Sequence, residues 1–555
     1  MSERPTGTAE QPVDVLIVGA GPVGLTLAIA LADNGVRPRI VDKLDGWSEL
    51  SKAMTLTPRT LECFRMLGLA DRFLADGILS RRIHHYTERR NPIAVTDLAK
   101  LDGEFHGVLH LSQSRTIGIL AAALAERGIA VERGRELTEI ESTGSGHRCT
   151  VATVDGAVST ITARYVVGAD GSRSRVRELI GTAFDGAEQS ETFIMADIEM
   201  AGFPYHPEDR HAFYLDEGTF FTILPIDGRY FRLISTCRVA SAAVDEEFIL
   251  RRFDALLRTV GLAHVKLGDP FWLTRFNPRQ YLAEQLHVHG VFLVGDAAHI
   301  QSPIGAQGLN TGIQDSMNLA WKLGVALRHG NTGVLNSYHE ERHPVAQRLF
   351  EYNNVLSERI FGRNRLKRQF LRYQNYLLRL PSFHAEELAK VSQYRVSYPA
   401  GGLFARPTAG AHPAGPRLRV GDRMPYCVFD AADGTPFRLL AELGAHRHVL
   451  LVFVGEDLDA PETVAAQWQS ELTRYVVYDR PSPRQRYRRP EGVDVLFDRS
   501  GRWRELHKVP SHTSVLIRPD GYIAALFRNG DHRALETYWD LLTSTTPPQH
   551  PEDRL

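Results

Sequence analysis

VDVLIVGAGPVGLTLAIALADNG, residues 13–35, decides the fold. A β-branched apolar run, Val13 to Val18, breaks into a glycine-rich turn and resumes as an apolar helix that stops at Asn34-Gly35. A second strand, Pro38 to Val41, follows at once and runs into Asp42 and Lys43, so the chain opens on a βαβ unit. Within GAGPVG, Gly19 permits the tight turn, Gly21 lets a pyrophosphate reach the backbone, and Gly24 lets the helix pack close to the sheet; Pro22 and Val23 complete the motif. The helix N-terminus offers unpaired N–H groups and a partial positive charge to phosphate. Asp42 stands where a ribose-binding carboxylate belongs. The motif alone suits NAD and FAD equally.

Two later strands end in a similar way. Tyr165 to Gly168 leads into Ala169-Asp170-Gly171, and Val291 to Val294 leads into Gly295-Asp296. In VFLVGDAAHIQSPIGAQGLNTGIQDSMNLAWKLG an Asp at the tip of a buried strand precedes a glycine-rich loop and a helix that begins near Gly308. Asp296 could accept hydrogen bonds from a polyol, and the helix start could stabilise negative charge on a ring, as the N1–C2=O edge of a reduced flavin requires. Residues near 190 to 285 alternate apolar and polar, with Asp227-Gly228 at a hairpin turn, which predicts an antiparallel sheet inserted into the α/β domain.

A chain of 555 residues, 43% hydrophobic and 24% charged, predicts two to four globular domains. Its formal net charge of -1 gives no sequence-wide positive field, so nucleic acid is not an expected partner. No segment reaches the roughly 18 consecutive apolar residues of a bilayer span, so no membrane is expected either. The polar start MSERPTGTAEQP reads as a flexible lead rather than a signal peptide. Cys63, Cys149, Cys237 and Cys427 lie far apart without a CxxC pair, which argues against a disulfide framework or a cysteine zinc site and fits a reducing cytoplasm.

With these motifs the chain resembles the class A FAD-dependent aromatic monooxygenases, which are p-hydroxybenzoate hydroxylase-like, and within them the phenol and aromatic-polyketide hydroxylase branch with an added C-terminal domain. GAGPVGL matches the family's FAD fingerprint, GADGSRSRVR its Asp-Gly motif, and GDAAHIQSPIGAQGLNTGIQDSMNLAWKL its second FAD motif. The resemblance implies that Asp42, with Lys43 next to it, would hold the adenosine ribose and that Gln113 in LSQSRT would contact the flavin side. Asp170 and Gly171 would lie near the pyrophosphate and the nicotinamide path, and Asp296 would bind the ribityl chain. Backbone groups of Gly308, Leu309 and Asn310 would face the flavin ring, while Pro303, the one catalytic candidate, would place its carbonyl beside the substrate. Two departures stand out. Lys52 replaces the family's arginine, keeping the charge toward a phosphate but losing the planar fork, and Ser302 replaces the first of two loop prolines.

The implied fold is α/β: a Rossmann-like FAD-binding domain with an inserted antiparallel β-sheet substrate domain, plus a C-terminal thioredoxin-like α/β domain. The expected division is a flexible lead at 1–12, FAD-binding domain at 13–185, substrate-binding sheet at 186–285, return of the FAD-binding domain and helices at 286–400, linker at 401–420, and thioredoxin-like domain at 421–545. RVGDRMPYCVFDAADG and the strand ending in IRPDGY carry the last resemblance, but Cys427 is its only cysteine, so no redox role is expected there. The implied reaction uses bound FAD with NADPH or NADH and O₂ as co-substrates, and a flavin C4a-hydroperoxide hydroxylates a phenolic or polycyclic aromatic small molecule. No phenol-deprotonating base is evident.

Tyr214, Phe220 and Phe221, with Pro303, are the candidate substrate pocket; core packing is the competing reading for these rings and for Phe213. HEERH, His339 to His343, has zinc-site spacing, but Pro344 is a poor residue for continuing such a helix and no third ligand is evident, so no metal is expected. His287 and His289 read as surface or edge residues. The basic stretch with Arg359, Arg363, Arg365, Lys367 and Arg368 reads as a solvated helical face. Other readings are Baeyer–Villiger oxidation, epoxidation or dehydrogenation on the same frame, or an FAD-binding regulator. A halogenase is disfavoured because no W-x-W-x-I-P sequence occurs. The aromatic substrate, the choice of nicotinamide and the oligomeric state, a homodimer included, stay open.

Overall fold

The computed structural model describes residues 12–47, 53–87, 92–188, 192–206, 208–215, 219–237, 244–302, 305–361, 376–399, 403–404, 418–444, 446–454, 471–478, 493–499 and 501–544. Val13–Val18 pairs in parallel with Arg39–Val41 on one side and with Val158–Gly168 on the other, and Val158–Gly168 pairs in parallel with Val291–Leu293. Val15, Leu16, Ile17, Val166 and Val167 are buried in succession, as strands covered on both faces require. Because these strands run the same way, Gly19, Asp42, Ala169-Asp170 and Gly295-Asp296 all emerge at one edge of the sheet. That edge is where open α/β sheets hold ligands. His287 and His289 lie at the far edge, in and just beyond the His287–Val288 strand; His289 is exposed, and His287 is half-buried, its ring 4.2 Å from Phe292.

The expected second sheet is present but draws on more chain. Its order is Lys266–Phe276, Thr192–Ala201, Tyr230–Cys237, Phe220–Pro225, Arg210–Tyr214, Arg82–Tyr86, Ala94–Asp97, so two strands come from well before residue 186. Arg210–Tyr214 runs parallel to Arg82–Tyr86, because no hairpin joins them. Residues Phe184–Glu188 and Arg279–Ala283 form a separate three-stranded sheet with His299–Ile300.

The Glu246–Thr259 helix, capped by Asp245 accepting the Phe248 N–H at 2.7 Å, buries Ile249, Phe253, Leu256 and Leu257 against the back of the large sheet. Phe213 and Phe221 meet there, with ring centroids 5.5 Å apart, and Phe221 lies 6.0 Å from Phe253. Phe221 is fully buried in this core, which corrects its reading as a pocket residue: strand alternation sends it to the helix side, while Tyr214 and Phe220 point to the other.

A second correction concerns Pro344. The Asn336–Phe361 helix runs straight through it. Proline costs that helix one hydrogen bond, and packing of the helix against buried partners outweighs the loss. His339 and His343 lie on that helix with rings 4.8 Å apart, and no group of three or more potential ligands gathers around a metal position among the described residues. The middle of HEERH does something else. Glu341 accepts from Lys322 at 2.8 Å and from Arg518 at 2.8 and 2.9 Å, and Arg342 donates to Asp315 at 2.7 Å. Of the basic stretch, Arg363, Arg365, Lys367 and Arg368 fall outside the described residues, as does most of the linker.

In the C-terminal domain His448–Phe453 lies between Leu472–Tyr478, parallel, and Thr513–Ile517, antiparallel, with Ile523–Arg528 beyond. Asp494–Phe497 adds a further parallel strand. Counted by chain order, these five strands stand 3-2-1-4-5 in one mixed sheet. Arg518 and Asp520, on the turn between the last two strands, reach the FAD-domain side: the Asp520 carbonyl accepts from Arg59 at 2.7 Å, and Arg518 bonds Glu341. No helix among the described residues is long and apolar enough to cross a membrane.

Candidate functional site

At the strand ends a cavity of about 220 Å³ is lined by Gly19, Gly21, Asp42, Lys43, Asp170 and Gly171, together with Arg135, Arg173 and Arg175. Six positions singled out in the sequence therefore meet. Asp42 holds the turn: its carboxylate accepts the Ala20 N–H at 2.6 Å and the Leu44 N–H at 2.8 Å. Gly19 has φ +105°, and a Cβ there would strike the Ala169 carbonyl. A Cβ on Gly24 would land on the Gly19 carbonyl oxygen. At Gly21, with φ -71° and ψ 179°, a Cβ would meet nothing within 4 Å. That open space at a helix N-terminus, rimmed by arginines, fits a pyrophosphate.

Asp170 is committed differently from a free ligand-binding carboxylate. It accepts from Ser174 Oγ at 2.5 Å and from the backbone N–H groups of Arg175 and Val176 at 2.7 and 3.1 Å, anchoring the short Arg175–Ile180 helix. Burial raises its carboxyl above the usual range although these donors oppose the shift. Arg133, which the sequence reading missed, lies 3.8 Å from Asp42 and 3.4 Å over the Trp47 ring. Lys52 lies outside the described residues.

The Gly308–His329 helix packs against the Pro22–Asp33 helix at Val23. Ser316 donates to the Val23 carbonyl at 2.9 Å, and Gly312 packs so close that a Cβ would sit 2.9 Å from Gly295 Cα. Two helix starts, Pro22–Asp33 and Gly308–His329, are thereby set beside the Gly295–Ala297 turn that carries the exposed Asp296. Asp315 fixes this turn from below, accepting the Gly295 N–H at 3.1 Å and bonding His299 Nε2 at 2.7 Å. Burial works against the Asp315 carboxylate, yet Arg342 and His299 hold its pKa down at about 2.

Gly308, Leu309 and Asn310 form the first turn of the second helix. The Asn310 side chain is fully used: it accepts from the Thr57 N–H at 2.9 Å and Thr60 Oγ at 2.7 Å, and donates to the carbonyls of Thr55 at 2.9 Å and Ala306 at 2.8 Å. Gln113 accepts the Ala53 N–H at 3.2 Å, tying the same 53–57 segment. Pro303 lies outside the described residues.

The other candidate residues lie on the front face of the large sheet. Tyr214 and Phe220, half-buried, gather with Phe193, Ile234 and Phe276. Tyr214 OH lies 3.4 Å from His85 Nδ1, whose Nε2 is 2.9 Å from Thr96 Oγ. Phe193, Ile234, Phe276 and His85 were missed because one strand's alternation does not say which side faces the cavity; pairing registers across all seven strands do.

The four cysteines are free and buried. Burial pushes the Cys63 thiol up to about 11, Cys149 to about 12, and Cys427 further still, so none of these three offers a thiolate near neutrality. Replacing all four with serine is expected to leave turnover per bound FAD unchanged; loss of activity in a well-folded, FAD-loaded Cys427→Ser variant would contradict a thiol-free mechanism.

Residues 12–353 match the family described as FAD binding domain, and residues 417–542 match the family described as aromatic-ring hydroxylase, C-terminal. The chain is 30% identical to pentachlorophenol 4-monooxygenase of Sphingobium chlorophenolicum over 95% of its length and 96% of that protein. It is 32% identical to 6-methylpretetramide 4-monooxygenase of Streptomyces rimosus, covering 92% and 90% of the two chains. The solved anhydrotetracycline hydroxylase OxyS of Streptomyces rimosus superposes with a TM-score of 0.73 at 26% identity, over 95% of this chain and 99% of that one.

Proposed function

The chain belongs to the FAD-dependent aromatic-ring monooxygenases, and from that membership we propose that it hydroxylates a phenolic or polycyclic aromatic small molecule with NADPH or NADH and O₂ as co-substrates. The observation that carries the reading is the cavity at the strand ends, open at Gly21 and lined by the Asp42 carboxylate and three arginines, with the Gly308–His329 helix packed through Gly312 against the Gly295 turn at the same end of the sheet. FAD bound there would accept a hydride from the nicotinamide and activate O₂ at its C4a position.

The chain's own residues do the rest. Gly19 to Gly24 and the helix behind them would hold the pyrophosphate, Asp42 the adenosine ribose, and Asp296 the ribityl hydroxyls. N–H groups of Gly308, Leu309 and Asn310 would stabilise negative charge on the ring's pyrimidine edge, and Pro303 would present its carbonyl to the substrate. Asp315 and Asn310 keep both loops in place. The aromatic wall of Tyr214 and Phe220 would help exclude water, which an oxygenating site requires because wasted reductant otherwise ends as H₂O₂.

Beyond GAGPVG the sequence holds no second GxGxxG unit for a nicotinamide, so NAD(P)H visits transiently and substrate controls the encounter. Stopped-flow flavin absorbance is expected to show reduction at least about tenfold faster with the right phenol, about 1.4 kcal/mol in barrier. Equal rates with and without a confirmed substrate would refute this control. Intact mass of the product separates hydroxylation from dehydrogenation.

A further inference from the structure

The C-terminal domain holds a single, buried cysteine, yet one of its side chains reaches into the FAD-domain side. Arg423 lies within the segment that matches the C-terminal family and is 9% exposed. Its guanidinium serves two partners across the domain boundary: Nη1 donates to Glu62 at 2.9 Å, and Nε donates to the Tyr394 carbonyl at 3.2 Å, with the group 4.1 Å over the Tyr394 ring. Glu62 is fully buried on the Pro58–Met66 helix and also accepts from Arg59 at 2.8 Å, while Arg59 donates to the Asp520 carbonyl. Two arginines thus share one carboxylate, and the C-terminal domain grips the helix through each. At the far end of that helix the Met66 carbonyl packs so close to Gly444 that a Cβ there would collide with it.

Both partners of Arg423 lead to one residue. The Pro58–Met66 helix begins at its cap, Thr57, and Tyr394 follows Gln393, whose Oε1 accepts from Thr57 Oγ at 3.2 Å and from Gln314 Nε2 at 2.9 Å. Gln393 is 6% exposed and holds φ +59°, a left-handed conformation that a residue other than glycine keeps only where its surroundings fix it. Thr57 in turn holds Asn310: its N–H and the Thr60 hydroxyl both donate to Asn310 Oδ1, and Asn310 Nδ2 donates back to the Thr55 carbonyl. Two buried arms therefore run from Arg423 to the first turn of the Gly308 helix, one through Glu62 and its helix, the other through Tyr394 and Gln393. A buried polar chain whose members are engaged on both sides leaves that turn little freedom to shift.

We propose that Arg423 is a positioning residue for the flavin edge, and that holding the Asn310 turn is a task of the C-terminal domain. The proposal rests on the reading that Gly308, Leu309 and Asn310 face the pyrimidine edge of the ring. Their N–H groups favour negative charge there only to the extent that they are fixed beforehand, because a donor that must first reorganise gives back part of its stabilisation. The planar fork of Arg423 meets a carboxylate and a carbonyl at once, a geometry that a lysine ammonium does not reproduce. A domain that contributes no reactive group thereby bears on how readily the flavin accepts electrons.

The test measures the midpoint potential of bound FAD by dye-equilibrated reduction of the FAD-loaded enzyme. Arg423→Met removes the guanidinium but keeps an apolar stem, and Glu62 retains Arg59 as its partner, so the fold should hold. At a fixed potential the ratio of reduced to oxidised flavin should fall at least about threefold, a midpoint about 15 mV more negative for two electrons. Arg423→Lys should recover part of the shift. Hydrogen exchange of the apoprotein reads the same contacts without the cofactor: the Thr57 N–H should exchange faster in Arg423→Met. Asn331→Ala loosens the domain boundary elsewhere, where Asn331 donates to the Leu541 and Leu542 carbonyls at 2.8 and 3.1 Å, and should lower the melting temperature without moving the potential. Asn310→Ala separates the proposal from the reading beneath it. A shift in Asn310→Ala with none in Arg423→Met would overturn the proposal, as would an equal shift in Asn331→Ala; no shift in either Asn310→Ala or Arg423→Met would take the turn away from the ring, and the proposal with it.

Discussion

Glu341→Ala is expected to cost about 3–5 kcal/mol of stability, the range for removing one partner of a buried ion pair. Glu341 is 3% exposed and takes four charged or polar donor contacts: Lys322, two from Arg518, and Asn318 Nδ2 at 2.7 Å. Removing it takes the Glu341 carboxylate from wholly buried Lys322 and leaves wholly buried Arg518 with Asp520 as its carboxylate partner. Burial opposes the Glu341 charge, but Arg518 and Lys322 hold its pKa down to about 2. A folded value below the unfolded one means that this contribution is complete above the ordinary glutamate range and fades as the pH falls toward about 2. The stability gap between wild type and variant, from urea melts at neutral pH, should therefore narrow on acidification. Because Arg518 belongs to the C-terminal domain, the variant should also lose the joint melting of the two domains. An unchanged urea midpoint would show that the lattice is dispensable.

Gly21→Ala is expected to separate cofactor binding from folding. The added methyl has open space and an ordinary backbone conformation, so the apoprotein should melt as the wild type does. The same methyl occupies the space assigned to the pyrophosphate, and FAD affinity should fall on the order of 100-fold, about 2.7 kcal/mol. Gly24→Ala, which would collide with the Gly19 carbonyl, should damage both. Fluorescence titration of apoprotein with FAD measures the difference; wild-type affinity in Gly21→Ala would remove the pyrophosphate from this turn.

The opening βαβ unit was legible because its causes are local: β-branched strand, glycine turn, apolar helix. The start of the helix at Gly308 was legible for the same reason. Phe220 and Phe221 were not separable, since alternation tells that neighbours part but only the seven-strand register tells which side holds the Glu246–Thr259 helix. Pro344 misled because a local penalty was weighed without the tertiary packing that absorbs it. Glu341 and Arg342 looked like the inside of a metal motif; their partner Arg518 lies 177 residues from Glu341, a distance at which no periodicity speaks.

The central claim is that this chain inserts one atom of O₂ into an aromatic ring. Turnover with NADPH or NADH and an acidic phenol under ¹⁸O₂, followed by product mass, tests it most directly. The account predicts a ring-hydroxylated product carrying one ¹⁸O atom and none from ¹⁸O-labelled water; nicotinamide oxidation with a product that gains no oxygen, or gains it from water, would contradict it.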